Sequence, residues 1–454
     1  MDVLEQRTKR FTEGALLPVL LRLALPVFAS ITLQTLYQLV NAFWLGRVSA
    51  TAVAVVSVTT PLTLLLVVLG SGLSTAGLIL VAQFSGARNR PMVNRVAAQT
   101  MVMVVAVSLV LCVVGLLATR PVLRAMSVAP DVFAGATDYL TISYAGLTAS
   151  YAFVMGQSIL QGAGEVRFPL MVVAASVVLN AVLDPVLIFG WGGVPPLGVA
   201  GAAWATVGSQ AVAAVIGITP LFTGRFGIRI RRADFGIDPA LLRTALAIAL
   251  PASVEQSTRT LASLLLTALA ARFGTDALAS FGLGMRIIML FFIPALGLSA
   301  ATATLVGQNL GAGLTERARS AARVSGLFAF AALTVAGLLF MPVTAWVAGM
   351  LVPTDSAVAQ LATSFVLVVA PAFGIIAAQQ VLAGAFRGAG QTLQAMMLSL
   401  IMQWGFQLPI SFAFSYYSPL GFRALWWGFP LGNALALAVT LVWFRNSRWQ
   451  ARTR

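Results

Sequence analysis

Histidine is absent from this sequence of 454 residues, and Cys112 is its only cysteine. The lack of histidine excludes metal sites and acid–base catalysis that depend on imidazole, and one cysteine cannot form a disulfide within the chain. Charge is also scarce, since Asp, Glu, Lys and Arg make up 9% of the residues, against about 25% in soluble domains. With 59% hydrophobic residues, the composition predicts a membrane protein and argues against a soluble enzyme or a nucleic-acid-binding protein.

Motifs of common enzymes and ATP-driven pumps are missing as well. The sequence contains no GxxxxGK[ST] phosphate loop, no GxSxG and no HExxH, so neither ATP hydrolysis nor these hydrolase chemistries are indicated. We therefore expect no enzymatic activity and no bound cofactor. A secondary transporter driven by a gradient of H⁺ or Na⁺ fits this pattern.

Twelve segments are apolar enough to cross a bilayer, which takes about 20 residues in a helix. They run over residues 15–43, 51–83, 93–118, 132–159, 168–190, 198–223, 240–271, 277–308, 318–348, 357–384, 392–416 and 422–444. The sequence therefore predicts an all-α membrane protein with twelve transmembrane helices.

Most of the 28 basic residues fall in loops and tails on one side of these spans. Basic loops are retained in the cytoplasm, so we expect a multi-pass protein with both termini cytoplasmic. This distribution explains the net charge of +15 without a nucleic-acid partner. The expected partners are the lipid bilayer and small-molecule substrates, and we expect a monomer.

The two halves of the chain repeat each other. LALPVFASITLQTLYQLVNAFWLGR, from Leu23, matches IALPASVEQSTRTLASLLLTALAAR, from Ile248, at a shift of 225 residues. The repeat predicts an N-terminal six-helix lobe over residues 1–224, a cytoplasmic linker over 225–243 and a C-terminal six-helix lobe over 244–454. An even number of spans in each half gives both the same topology, so we expect an axis along the membrane normal to relate them.

Only two of the 13 acidic residues, Asp184 and Glu255, fall well inside predicted spans. An ionisable group at this depth is costly and is a candidate functional residue. Asn180 precedes Asp184 by four residues, so both lie on one helix face. Burial disfavours the charged form of a carboxyl group, which predicts that Asp184 can gain and lose a proton. The alternative is a structural hydrogen bond to a neighbouring helix or to backbone freed by Pro185.

A polar stripe follows one face of the first predicted span. Gln34, Tyr37, Gln38 and Asn41 have the spacing of neighbours on a helix. Such a stripe either joins helices or lines a cavity. We favour a substrate cavity because the tyrosine ring can stack on a substrate.

The seventh predicted span carries a matching stripe that includes Glu255, Gln256 and Arg259. At the shift of 225 residues Arg259 corresponds to Gln34, so both lobes direct one helix face to equivalent places. Glu255 and Arg259 could form a static ion pair, with Arg286 of the eighth span as a second cation. Two cations would keep Glu255 ionised, which favours Asp184 as the proton carrier.

Several segments, in the same order along the chain, resemble the MATE (multidrug and toxic compound extrusion) family, nearer its bacterial NorM-like and DinF-like branches. They are LALP…YQLVNAFWLGR, AQFSGARNR, QGAGEVRFP, LNAVLDPVLIFG, GVAGAAWAT, VGQNLGAG and LAGAFRGAGQT. The resemblance implies two six-helix bundles around a V-shaped cavity in the bacterial inner membrane. It also implies xenobiotic antiport, in which cationic or amphipathic drug-like compounds leave in exchange for H⁺ or Na⁺.

The resemblance assigns roles to residues that match the family's motifs. Asp184 takes the place of the acid of the fifth helix, with Asn180 beside it and Thr206 as the hydroxyl residue of the same cation pocket. Cavity positions of the first and seventh helices correspond to Gln34, Tyr37 and Glu255.

Two positions depart from the family's pattern. Asn41 stands where the family has an acid in its first helix, and no acid occurs near Ile376, where NorM-like members have one in the tenth. Asn41 can still bind Na⁺ through its carbonyl or hydrogen-bond Asp184. The expected coupling site therefore contains Asp184, Asn180, Asn41 and Thr206, with protons favoured over a possible Na⁺ at these residues.

Three other functions stay open from the sequence. A flippase for lipid-linked oligosaccharides of the same superfamily would use a cationic cavity, for which Arg259 and Arg286 are candidates. A polytopic membrane enzyme would need a catalytic cluster near one face, and a channel would need a repeated pore-lining pattern.

Overall fold

A computed structural model describes residues 3–193, 195–353, 355–417, 419, 421–447 and 449. Within these residues the regular structure is helical throughout. The α-helices are α1 Val3–Glu13, α2 Leu16–Gly46, α3 Ala50–Gly86, α4 Arg90–Ala125, α5 Pro130–Ala145, α6 Leu147–Gly162, α7 Arg167–Phe189, α8 Gly198–Thr223, α9 Pro239–Ala271, α10 Thr275–Gly311, α11 Thr315–Phe340, α12 Thr344–Leu351, α13 Ser356–Val369, α14 Phe373–Gly388, α15 Thr392–Leu400, α16 Leu408–Tyr417 and α17 Gly428–Asn446. A π-helical segment, Ile401–Gln407, joins α15 to α16, and 3₁₀ turns lie at Trp191–Gly193, Arg232–Phe235, Met341–Val343, Ala370–Ala372 and Gly421–Trp427.

All twelve predicted spans coincide with helices, and the prediction of an all-α membrane protein is confirmed. By length and composition, ten helical segments of the described chain can cross a membrane. The other two predicted spans are residues 132–159, which form the consecutive helices α5 and α6, and residues 240–271, which form α9. Helix α9 is less apolar because Glu255, Gln256 and Arg259 lie near its middle.

Local sequence sets several of the helix ends. The side chain of Ser49 accepts a hydrogen bond from the Ala52 amide and begins α3, and Asn89 does the same for α4 through the Met92 amide. These caps satisfy amides that have no partner within the helix. Helix α7 ends at Gly190, which adopts a left-handed conformation that favours glycine.

The chain divides into two compact units. Unit 1 contains residues 1–9 and 29–253, and unit 2 contains residues 10–28 and 254–454. The division between the units falls inside three helices, α1, α2 and α9. These units follow packing, so the lobe boundaries at residues 224 and 244 stay a prediction.

The sequence repeat is present in the helices of both units. Helices α3 and α10 are both 37 residues long, and their first residues, Ala50 and Thr275, are separated by the predicted shift of 225. A Cβ atom built on Gly162 of α6 would lie 2.5 Å from the Leu78 carbonyl oxygen, and one on Gly388 of α14 would lie 2.3 Å from that of Ala303. Glycine therefore allows the same close helix packing in each unit.

Candidate functional site

The centre of the polar cluster in unit 1 is Asp184, on α7. Its side chain is fully buried, as is that of Asn180 one turn earlier. Asn180 donates from Nδ2 to Asp184 Oδ1 at 3.4 Å. The i,i+4 spacing places both polar groups on the same face of an otherwise apolar helix, as the sequence predicted.

Asn41 of α2 completes this cluster. Amide nitrogen and oxygen are assigned from their partners, and the amide atom that faces Asp184 is surrounded by acceptors, which identifies it as Nδ2. It donates to both carboxylate oxygens of Asp184, at 3.2 Å for Oδ1, and to Asn180 Oδ1 at 3.0 Å. The other amide atom of Asn41 lies 3.4 Å from Thr206 Oγ1, on α8.

Two tyrosines line the same region. The Tyr37 hydroxyl lies near Thr206, Asn41 and Ser209, yet it is buried without a hydrogen bond to any described residue. Tyr139 of α5 is close enough to Asp184 to interact with its charge. The structure thus brings Asp184, Asn180, Asn41 and Thr206 together, with the Tyr37 hydroxyl beside them.

No basic side chain in the described part of the chain balances the charge of Asp184. Among the described residues its partners are amides, and it forms no ion pair with Lys or Arg. A buried carboxylate without a counter-ion favours the binding of a proton or a small cation. The described residues contain no group of three or more His, Cys, Asp or Glu side chains that could hold a metal ion.

Unit 2 contains a second buried polar cluster, centred on Glu255 of α9, which is 2% exposed. Glu255 Oε1 lies 3.3 Å from Arg259 Nη2 and 3.8 Å from Arg387 Nη1. It also accepts a hydrogen bond from Ser399 Oγ at 3.1 Å. Arg259 Nη1 donates to Gln380 Oε1 at 3.1 Å, so the i,i+4 ion pair that the sequence left as one alternative is part of a larger network.

Both halves of the chain match a known protein family. The family model described as MatE matches residues 26–186 and residues 251–413. The chain belongs to the MatE family. The resemblance drawn from the motifs is therefore confirmed, and the two matches begin at the positions related by the repeat.

Relatives of this MatE protein align along nearly all of its length. The probable multidrug resistance protein YoeA of Bacillus subtilis is 26% identical over 91% of this chain and 90% of its own. The FAD transporter of Shewanella oneidensis is 27% identical over 92% of each chain. The solved structure "Crystal structure of MATE in complex with MaL6" superposes with a TM-score of 0.91 at 25% identity, over 96% of this chain and 97% of the other.

Other residues predicted to line a cavity lie at the surface of this MatE protein. Gln34 and Gln38 on α2, Gln256 on α9 and Arg286 on α10 are exposed. An exposed position agrees with a cavity lining and also with contact to lipid. Their role in substrate binding stays a prediction.

Sequence reasoning missed Arg387 as a member of the Glu255 cluster. It lies beyond the predicted span 357–384, and the structure places it in the last turn of α14. Its Nη2 also donates to Ser299 Oγ at 3.1 Å. The second cation at Glu255 is thus Arg387, and the described residues give no ion pair between Glu255 and Arg286. The motif RGAGQT, which begins at Arg387, marks this segment in the sequence but does not indicate that Arg387 contacts Glu255.

Proposed function

We propose that this MatE protein is a secondary active antiporter that exports drug-like amphipathic or cationic compounds in exchange for protons, with Na⁺ as the other candidate ion. The observation that carries this proposal is the buried carboxylate of Asp184, whose hydrogen-bond partners among the described residues are all neutral. Buried ionisable groups of this kind serve as ion-binding sites in transporters.

Asp184 supplies the group that changes charge. When ionised, its carboxylate accepts hydrogen bonds from Asn41 and Asn180. When protonated, it donates one proton to a hydrogen bond, and the Asn41 amide rotates to present its oxygen. Because Asn41 and Thr206 belong to helices different from that of Asp184, uptake of a proton changes contacts among three helices at once.

Several observations support export of drug-like compounds. YoeA is named a probable multidrug resistance protein, as is the NorM protein of Thermotoga maritima, 25% identical over 95% of this chain and 93% of its own. We extend that activity to this chain. It would act as a multi-pass monomer in the bacterial inner membrane with both termini cytoplasmic, without a cofactor, enzymatic activity or nucleic-acid partner.

A flippase for lipid-linked oligosaccharides is the second candidate function, and one feature of unit 2 favours it. The Glu255 cluster contains two arginines, and arginines suit the phosphates of a lipid-linked oligosaccharide. The FAD transporter of Shewanella oneidensis is named for a phosphate-bearing compound. We rank this flippase-type function second because the Asp184 site suits an ion-coupled exchanger.

Efflux from proteoliposomes tests the proposal. Vesicles containing purified protein are loaded with ethidium, a cation, or carboxyfluorescein, an anion, and an inward gradient of protons or of sodium is imposed. We expect proton-driven release of at least one dye and its loss in Asp184→Asn.

The matched control is Asp138→Asn, which removes an exposed acid from unit 1 and should leave release unchanged. Release in Asp184→Asn at the wild-type rate would reject Asp184 as the coupling residue. Absence of gradient-driven release of any dye would reject the transporter proposal.

A further inference from the structure

The buried cluster in unit 2 has an excess of positive charge. Glu255 contributes one negative charge, and both Arg259 and Arg387 pair with this single carboxylate. Among the described residues neither arginine pairs with another acid. The two guanidinium groups are also close enough to repel each other.

The hydrogen bonds of these arginines are incomplete. Arg259 Nε is buried without a partner among the described residues. Arg387 Nη1 lies 3.8 Å from Glu255, which is too far for a hydrogen bond. A guanidinium group has five N–H donors arranged to bind carboxylate or phosphate oxygens, so the cluster retains donors for one further anionic group.

Both arginines are also partly exposed, and an aromatic ring lies beside one of them. The side chains of Arg259 and Arg387 are 20% and 22% exposed. The guanidinium carbon of Arg259 lies 5.9 Å from the centre of the Phe292 ring. An aromatic ring beside a cationic centre suits an amphipathic molecule with an anionic end.

We propose that Arg259 and Arg387 bind a carboxylate or phosphate group of a transported amphiphile in unit 2. The inference rests on the proposed transport function and narrows its substrates to those that carry an anionic group. A purely cationic substrate is disfavoured at this site, because a cation placed here would meet an excess of positive charge.

A static role for the cluster predicts a different response to mutation. If the arginines only balance the charge of Glu255, the cluster binds no anion. Glu255→Gln then does not create anion binding. If they bind a ligand, Glu255 competes with that ligand, and neutralising it frees donors. A static role therefore predicts no anion binding with or without Glu255→Gln, whereas ligand binding predicts a higher affinity for the anion in that variant.

The test is equilibrium binding to the full-length protein in a neutral detergent. The probes are a dansyl-labelled alkyl carboxylate and a dansyl-labelled alkyl trimethylammonium of the same chain length. We expect the carboxylate to bind about tenfold more tightly than the ammonium, as for one charge-assisted hydrogen-bonded pair. The ammonium binding as tightly as the carboxylate would overturn the proposal.

Variants identify the residues responsible. Arg387→Gln leaves the closer Glu255–Arg259 pair in place and should weaken carboxylate binding about tenfold, whereas Glu255→Gln should strengthen it. Arg445→Gln removes the same charge from an exposed position on α17 and should have no effect. Unchanged binding in Arg387→Gln, or weaker binding in a folded Glu255→Gln protein, would overturn the proposal.

Two competitors distinguish the source of the anionic group. Displacement of the carboxylate probe by a soluble short-chain alkyl phosphate would support a transported compound as the ligand. Displacement only by phosphatidylglycerol would show that the site binds a lipid headgroup and would reject a transported compound. Since no gradient is applied, binding remains measurable if ion coupling fails. Carboxylate binding that persists in Asp184→Asn while efflux is lost would separate this site from the coupling site.

Discussion

The Asn41 amide lies against the Asp184 carboxylate, and its nitrogen donates to both carboxylate oxygens. An amide differs from a second acid because it can present either a donor or an acceptor after a half-turn of its side chain. Asn41 therefore matches both protonation states of Asp184. Thr206, 3.4 Å from the other amide atom, can match either orientation because a hydroxyl both donates and accepts.

Asn41→Leu should destabilise the protein and abolish proton-coupled efflux. Leucine has a similar size but leaves the buried Asp184 carboxylate without its main donor, and an unsatisfied buried polar group costs about 1–3 kcal/mol. Thermal unfolding in detergent and efflux from proteoliposomes measure the two effects. Gln38→Leu makes the same chemical change at an exposed position on α2, and it should leave the unfolding temperature unchanged. Equal destabilisation by both substitutions would contradict a specific role for Asn41.

Thr206→Val should distinguish the coupling ion. A proton needs only the Asp184 carboxylate, so proton-driven efflux should continue after the hydroxyl is removed, and sodium alone should not drive it. The assay is initial efflux rate against sodium concentration at constant pH. If sodium drives efflux and the valine variant needs a higher sodium concentration, the Thr206 hydroxyl helps to bind Na⁺, and our preference for protons is wrong.

The positions of the helices and of Asp184 could be predicted because they depend on local properties. Long apolar segments set the spans, and a spacing of four residues puts Asn180 and Asp184 on one face. The shift of 225 residues also predicted equivalent helices, which α3 and α10 show.

Contacts between distant helices could not be predicted in this way. Arg387 of α14 pairs with Glu255 of α9 in unit 2, and nothing in the spacing of either segment specifies that pairing. Arg286 has the same charge and similar predicted depth, yet its side chain is exposed. Charge and depth alone therefore identified a candidate acid but not its partners.

Glu165 should stabilise the protein through two separate oxygens. Its Oε1 accepts hydrogen bonds from the Arg167 and Phe168 amides, both at 3.0 Å, at the start of α7, and its Oε2 pairs with Arg7 of α1. Glu165→Gln keeps an oxygen for the helix end but loses the ion pair, whereas Glu165→Ala loses both. We expect the alanine variant to be less stable than the glutamine variant by about 1 kcal/mol, the usual contribution of a helix cap. Equal unfolding temperatures for the two variants would show that the cap contributes nothing.

Gly162→Ala and Gly388→Ala should destabilise unit 1 and unit 2 by similar amounts. The added methyl group would lie 2.5 Å and 2.3 Å, respectively, from a backbone carbonyl oxygen of a neighbouring helix, so the helices must move apart. Overpacking of this kind typically costs about 1–3 kcal/mol. Gly282→Ala is the matched control, because a Cβ atom there has no neighbour within 4 Å and alanine favours helix by about 1 kcal/mol. Thermal unfolding should show a lower temperature for the first two variants and an unchanged or higher one for the third. If Gly162→Ala and Gly388→Ala unfold at the same temperature as Gly282→Ala, the close approach of the helices in both units is not needed for stability.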